Sequence, residues 1–380
     1  MKIMLVRDRN VLNTNWLIYF ANLLALRNHE VIIACDTYSK LGKLAPSFSL
    51  HRNVRVCNLS GKNDNKVIDI YHKIRAKLVL PYFRFNKLIK KEKPDVLICY
   101  FPTDLFNVTR FQNHNIPIIQ MIHHVPDVII GKYLKKPRFI RPFYKKSFLK
   151  VDVFQVLMPS FVDKVHPWFE AKRVVQIGNP VEQHSDEDCA NLNVEKKKIF
   201  YVARIEKGIK QPHVLVEVFN KIADDFPDWN VEIWGLRKFP DYDKEITDLI
   251  KKYGLNDRIK LMGYSDNVLE VYRNSDINAF VSASEGFGLT LADAMAMKIP
   301  AVGFRSAPAV NELIIDGQNG FLADDIDDFA KKLKTLMLDK ELRIKMGIRA
   351  REDIKRFSSD SVIDKWEELL NSVVKTNGVI

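Results

Sequence analysis

SASEGFGLTLADAMAMKIPAVG, residues 282–303, is the stretch that decides how this chain folds. An apolar strand closes near Ser282, and Gly286 and Gly288 free the backbone for a tight turn and for close approach of a ligand. A helix rich in Ala and Met then runs from about Leu289 to Met297, and a second apolar run follows at Ala301–Gly303. Strand, turn, helix, strand is one unit of a parallel sheet. The N–H groups opening that helix point back into the turn, where they favour a diphosphate or a sugar oxygen. Glu285 stands in the turn itself. Asp293 follows after about 800° of helical rotation, within roughly 80° of the same face. Two carboxylates beside an anion-binding turn suit sugar and ribose hydroxyls, because a carboxylate accepts hydrogen bonds and repels phosphate.

The same pattern extends in both directions. In the first half, strands are expected at Lys2–Val6, Val31–Cys35, Val54–Cys57, Val96–Tyr100, Ile118–Ile122 and Val153–Leu157. Trp16, Phe20, Leu23, Leu24 and Arg27 keep helical spacing between the first two, with Asn13 or Thr14 as cap. The second half restarts at Lys198–Val202 and continues with Val231–Trp234, Ile259–Met262, Ile277–Val281, Ala301–Gly303 and Gly320–Leu322. Helices fit between them, among them Pro212–Asp225 and Asp243–Tyr253. The strand pattern stops at Ile177-Gly178-Asn179-Pro180, and an acidic stretch follows. The expected organisation is an α/β chain of two Rossmann-like domains, residues 1–180 and 181–360. A last amphipathic helix, about residues 361–380, turns Val362, Trp366, Leu369 and Leu370 to one side and packs back on the first domain.

The chain has 380 residues, 47% hydrophobic and 28% charged, which is ordinary for a globular protein. No apolar run reaches the length of a membrane span. The opening MKIMLVRDRN reads as a buried strand and not as a signal peptide, because charge follows its short apolar run at once. Cys35, Cys57, Cys99 and Cys189 have neither metal nor redox spacing and read as reduced thiols of a cytoplasmic protein. The charge is uneven. Residues 1–180 hold 30 Lys and Arg against 12 Asp and Glu, while residues 181–380 hold 29 against 35. A basic first half facing a polyanion follows.

Three further segments carry chemistry. Arg204, Lys207 and Lys210 lie between the strand at Lys198–Val202 and the next helix, where an open α/β sheet binds ligands, and such cations can hold a diphosphate and offset charge on a leaving group. Ile118–Ile122 ends in His123 and His124, either of which could donate to a hydroxyl or carry a proton, with Asp127 placed to orient one of them. Residues 131–150 interleave Lys132, Lys135, Lys136, Arg138, Arg141, Lys145, Lys146 and Lys150 with Tyr133, Phe139, Phe143, Tyr144 and Phe148. That mixture suits an anionic membrane surface, and a second basic stretch at Lys73–Lys93 carries Phe83 and Phe85. No nucleic-acid motif accompanies the charge, so nucleic acid is not an expected partner. Asp241-Tyr242-Asp243 reads as helix capping, and neither a metal nor a cofactor is expected. Without G-x-G-x-x-G or an ordered Ser, His and Asp, dehydrogenase and hydrolase chemistry have no support.

The 282–303 run resembles the donor-site motif of the retaining GT-B glycosyltransferases of family 4, the glycosyl transferases of group 1. That motif sets two glutamates inside E-G-F-G-L…E-A-M-A-x-G-x-P-V-V. The resemblance implies the GT-B fold, with two Rossmann-like domains facing across a deep cleft. It implies that Glu285 touches the transferred sugar and that position 293 holds the ribose, where Asp293 is shorter than the usual Glu by about 1.5 Å. Gly235, Gly286, Phe287, Gly288 and Leu289 fall in its donor site. Arg204 matches the family's G-R-L…K-G loop. Its lysine is Lys210 when counted back from the helix, although Lys207-Gly208 looks more like the motif. The family's histidine fits His124, with His123 second. Gly263-Tyr264 and Asn311–Leu322 resemble further family segments. Two departures stand: the G-D-G loop is reduced to Gly235-Leu236-Arg237, and Asp8-Arg9-Asn10 replaces a Gly-Gly loop. The implied activity is metal-independent transfer of a sugar from a nucleotide diphosphate, UDP foremost, with retention. The acceptor would be a glycan or a lipid-linked chain, such as a bacterial surface polysaccharide, at the inner face of the cell membrane. With no carboxylate placed as covalent nucleophile, front-face displacement is expected. A nucleotide-sugar 2-epimerase of the same fold, or a non-catalytic nucleotide-sugar-binding subunit, are the alternatives.

Overall fold

Short apolar runs become parallel strands. The computed structural model describes residues 1–7, 15–35, 49–59, 81–109, 115–168 and 170–377. Contacts divide the chain into two units, Met1–Gly178 together with the segment from Ile363 onward, and Asn179–Val362.

In the first unit the described strands are β1 (Lys2–Arg7), β2 (Glu30–Cys35), β3 (Val54–Asn58), β4 (Val96–Cys99), β5 (Ile118–Ile122), β6 (Val153–Val156) and β7 (Val174–Gln176). They form one parallel sheet in the order β3-β2-β1-β4-β5-β6-β7. Ile3 is registered with Val31 on one side and Val96 on the other. Ile3, Met4, Leu5 and Val6 are all buried, as expected of a central parallel strand covered on both faces. The second unit repeats the plan with β8 (Lys198–Val202), β9 (Asn230–Trp234), β10 (Ile259–Gly263), β11 (Ile277–Phe280), β12 (Ala301–Phe304) and β13 (Gly320–Ala323), in the order β10-β9-β8-β11-β12-β13. All its strand pairs are parallel.

The last helix, Ser359–Asn377, buries Val362, Trp366, Leu369 and Leu370. Trp366 packs against Phe20 with ring centroids 4.9 Å apart. Asp364 pairs with Arg27 at 2.7 Å, and Glu367 takes a hydrogen bond with His29. Burying one such indole stabilises by about 2–3 kcal/mol.

Several expectations need correcting. β7 was not foreseen: its three residues are half-buried at the sheet edge, so no apolar run announces them. The expected helix Pro212–Asp225 ends at Asn220, followed by a single 3-10 turn at Ala223–Asp225 before Pro227, whose ring opposes further helix. The expected helix Asp243–Tyr253 begins earlier, at Pro240, because proline fits the first helical turn. Phe85, Tyr144 and Phe148 are buried core residues and not surface aromatics, and the Lys150 ammonium donates inward to the Thr109 carbonyl at 2.9 Å. The proposed caps Asn13 and Thr14, the Asp8–Asn10 loop and residues 73–80 of the second basic stretch lie outside the described residues. Among the described residues, none of the four cysteines is joined in a disulfide. Among the described residues, no helix is long and apolar enough to cross a membrane.

Candidate active site

The strand order of the second unit reverses between β8 and β11, which are hydrogen-bonded neighbours. Chains leaving two such strands diverge to opposite faces and open a crevice at their carboxyl ends. The loop after β8 runs from Ala203 to Gln211, and the turn after β11 from Val281 to Gly288. Tyr201 ties the two together. Its buried hydroxyl donates to the Lys210 carbonyl at 2.7 Å and therefore accepts from the Ser282 hydroxyl, also at 2.7 Å, since a phenol has one proton. The Ala283 N–H donates to the Ile209 carbonyl at 2.8 Å. Held this way, the Lys210 ammonium stands 2.5 Å from a Glu285 carboxylate oxygen, with side chains only 16% and 11% exposed.

The turn is held from three sides. The Glu285 N–H donates to the Pro308 carbonyl at 3.2 Å, and the next residue, Ala309, has a strained φ of 67°. Gly288 caps the helix Leu289–Ala296 with φ 88°, a conformation that favours glycine, and no side chain caps that helix. The Thr290 hydroxyl donates to the Val202 carbonyl at 2.9 Å, pinning the first helical turn to the end of β8. Phe287 turns inward and packs edge-on against Phe357, Gly286 is half-buried, and Leu289 is exposed at the helix start. Because residues 285–288 are not helical, the rotation expected to align Glu285 with Asp293 does not apply.

The two lysines separate. Lys207 is exposed and bonds both oxygens of Glu245, at 2.8 and 2.7 Å, whereas Lys210 meets Glu285. Arg204 is exposed in the same loop, 3.4 Å from Glu206. Gly235, at the end of β9, has φ 152°, and a Cβ there would sit 1.6 Å from the Ala203 carbonyl oxygen. Only glycine lets β9 end this close to the β8 loop. Asp293 is half-buried, and burial first, then the nearby negative Glu182, push its carboxyl up to about 7. Among the described residues its carboxylate makes no hydrogen bond or ion pair.

The first unit places its candidates at the carboxyl ends of β1, β4 and β5. The Arg7 guanidinium lies 5.2 Å from the Tyr100 ring centre and 4.4 Å from that of Phe101. His123 stacks on Tyr100 at 4.4 Å and meets Trp16 edge-on at 4.5 Å. Its Nε2 is buried without a hydrogen-bond partner among the described residues. Burial, then the neighbouring His124 and Arg7, hold it down to about 3, so the imidazole is neutral. His124 is exposed, with its ring 6.3 Å from that of Phe101. Asp127 accepts from the Trp168 indole at 3.1 Å, which gives it a partner other than the histidines.

Asp241 and Asp243 do not cap their helix. They lie in its first turn after the cap position Phe239, and Asp243 pairs with Arg237 at 2.9 Å. The Asn311–Leu322 segment is structural. Buried Asn319 accepts from the Ile315 N–H at 2.7 Å and donates to Asp353 at 3.0 Å, while Asp316 accepts from the Leu322 N–H at 2.9 Å. Sequence reasoning missed Tyr201, Ser282 and Thr290, which position the loops. Each sits at a strand or helix end, where a hydroxyl carries no signal until its partner from another segment is known.

Comparison with known proteins fits this geometry. Residues 184–353 match the family described as glycosyl transferases group 1, and residues 14–184 match glycosyltransferase family 4. An uncharacterized glycosyltransferase of Haemophilus influenzae is 27% identical over 204 residues, covering 53% of this chain and 56% of that protein. A poly(ribitol-phosphate) alpha-N-acetylglucosaminyltransferase of Staphylococcus aureus is 26% identical over 303 residues, covering 78% of this chain and 59% of that protein. The chain thus spans little more than half the length of these two relatives. The solved structure of a Staphylococcus aureus TarM variant in complex with fondaparinux, alpha-GlcNAc-glycerol and UDP superposes with a TM-score of 0.75, covering 97% of this chain and 99% of that one. At 17% identity that likeness speaks for the fold alone. With matches running from residue 14 to residue 353 and two Rossmann-like sheets in place, the chain belongs to the group 1, family 4 glycosyltransferases of GT-B fold.

Proposed function

We propose that the protein transfers a sugar from a nucleotide diphosphate, UDP first among the candidates, to a hydroxyl of a glycan or other polymer acceptor. The observation that carries this reading is the Lys210–Glu285 pair at the β8/β11 switch point, beside the uncapped start of the helix Leu289–Ala296. The diphosphate takes the cation of Lys210, the nearby Arg204 and the free N–H groups of the helix. Glu285, relieved of Lys210, accepts from a sugar hydroxyl. Asp293 accepts from or donates to the ribose. No metal ion is needed, because the cations and the helix terminus already offset the charge on the departing diphosphate. The bond between the anomeric carbon and the diphosphate oxygen breaks, and its electron pair leaves with the diphosphate. The acceptor oxygen bonds to the anomeric carbon on the same face, and its proton passes to the departing oxygen, so configuration is retained.

The poly(ribitol-phosphate) relative supports a bacterial surface polymer as acceptor, and the UDP in the TarM complex supports uridine in the donor. The test is calorimetric titration of the full chain with UDP, GDP and their sugars, followed by transfer assays in EDTA with the best donor and analysis of the product's anomeric configuration. UDP binding lost in Arg204→Ala and weakened in Lys210→Ala is expected. A protein that binds no sugar nucleotide, or that turns donor over only by epimerisation, overturns the proposal.

A further inference from the structure

Residues 126–149 of the first unit present an outward face that none of the chemistry above uses. Two helices, Pro126–Leu134 and Arg141–Phe148, pack on each other through Tyr133 and Tyr144, with ring centroids 4.9 Å apart. Tyr144, Ser147 and Phe148 point into the core. At 100° per residue, Lys146 and Leu149 then fall on the opposite side of that helix, with Phe143 and Lys145 flanking them. Val128 and Lys132 fall likewise on the side of their helix away from buried Ile129 and Ile130.

This face combines two features that are usually kept apart. Phe139 is 73% exposed and Phe143 47%, and Val128 and Leu149 are also exposed. Around them stand Lys132, Lys135, Arg138, Arg141, Lys145 and Lys146, and among the described residues none of the six forms an ion pair. Lys136 lies 5.5 Å from the Tyr133 ring centre and holds the connecting turn down. No acid occurs between Asp127 and Asp152 to balance the charge.

We propose that this face docks the protein on an anionic lipid bilayer. The six cations meet the lipid phosphates, while Phe139, Phe143, Leu149 and Val128 enter the boundary between headgroups and acyl chains. Nucleic acid fits less well, since Val128 and Leu149 have no ring on which a base could stack. The proposal goes beyond the transfer reaction and is tested without donor or acceptor.

The experiment is flotation of the full chain with vesicles of phosphatidylcholine alone and with added phosphatidylglycerol, at low and high salt. Binding to the anionic vesicles only, lost as salt rises, is expected. Lys145→Ala with Lys146→Ala weakens partitioning about thirtyfold, from about fivefold per cation. Phe139→Ser with Phe143→Ser weakens it about tenfold. Melting curves of both variants stay close to that of the parent, which separates loss of docking from loss of fold. No binding to anionic vesicles at low salt, equal binding by the parent and both variants, or binding of a short single-stranded oligonucleotide in place of vesicles would each overturn the proposal.

Discussion

Lys210 and Glu285 lie 75 residues apart in the chain, yet their side chains meet at 2.5 Å in a half-sheltered position. The pair holds a cation and a carboxylate ready for two different parts of one ligand. Lys210→Ala should lower kcat/KM for the donor about ten- to hundredfold, the range of one charge-assisted hydrogen bond. Glu285→Gln should depress transfer while leaving affinity for the free nucleoside diphosphate nearly unchanged. Titration with UDP and with a UDP-sugar separates the two effects. If Glu285→Gln weakened UDP itself as strongly as Lys210→Ala does, the division of labour would be wrong.

Gly235 should tolerate no side chain. A Cβ 1.6 Å from the Ala203 carbonyl forces β8 and β9 apart, and Gly235→Ala should destabilise the protein by about 3 kcal/mol or more. At Gly288 the added Cβ meets nothing closer than 3.6 Å, so Gly288→Ala should cost only the conformational penalty of about 1–2 kcal/mol. Urea unfolding of both variants checks the order, and equal losses would contradict it.

Removing one oxygen should loosen the Lys210 loop. Tyr201→Phe keeps the buried ring and leaves the Lys210 carbonyl and the Ser282 hydroxyl without their partner. The expected loss is about 1–2 kcal/mol of stability, together with a raised KM for the donor. A variant with unchanged KM would make Tyr201 purely structural.

Asp293 and His123 give stability opposite dependences on pH. The Asp293 carboxyl is raised to about 7, so its folded form holds a proton that the unfolded chain has released. Its contribution is complete below the ordinary aspartate range and is lost as pH rises toward 7. His123 is held down to about 3, so the unfolded chain takes up a proton that the folded one refuses, and stability falls as pH drops below about 6.5. Asp293→Asn, which cannot ionise, should therefore stabilise the protein by about 1–3 kcal/mol at pH 8 and by little at pH 4. Melting temperatures at the two pH values decide it, and a gain larger at pH 4 would reverse the sign.

Much of the fold was legible because a parallel sheet buried on both faces writes its strands as continuous apolar runs, as Ile3–Val6 does. β7 escaped because it is short, half-exposed and at an edge. The turn at 285–288 was legible because Gly286 and Gly288 punctuate it. What sequence could not supply were pairings between distant segments. Lys207 and Lys210 look alike until Glu245 and Glu285 are seen beside them. Asp127 looks like a histidine's partner until Trp168 arrives from 41 residues away. Phe143 and Tyr144 are adjacent, and only the helical phase tells that one faces outward and the other inward.

The closing helix has a consequence for how the protein is made. Trp366 covers Phe20, and the first unit counts residues from Ile363 onward among its own. The unit that leaves the ribosome first is therefore the last to be completed. Its Phe20 surface stays bare while all of residues 179–362 are being translated. A stop codon placed before Trp366 would spare every residue proposed to hold the donor and still yield a chain that clumps or is degraded.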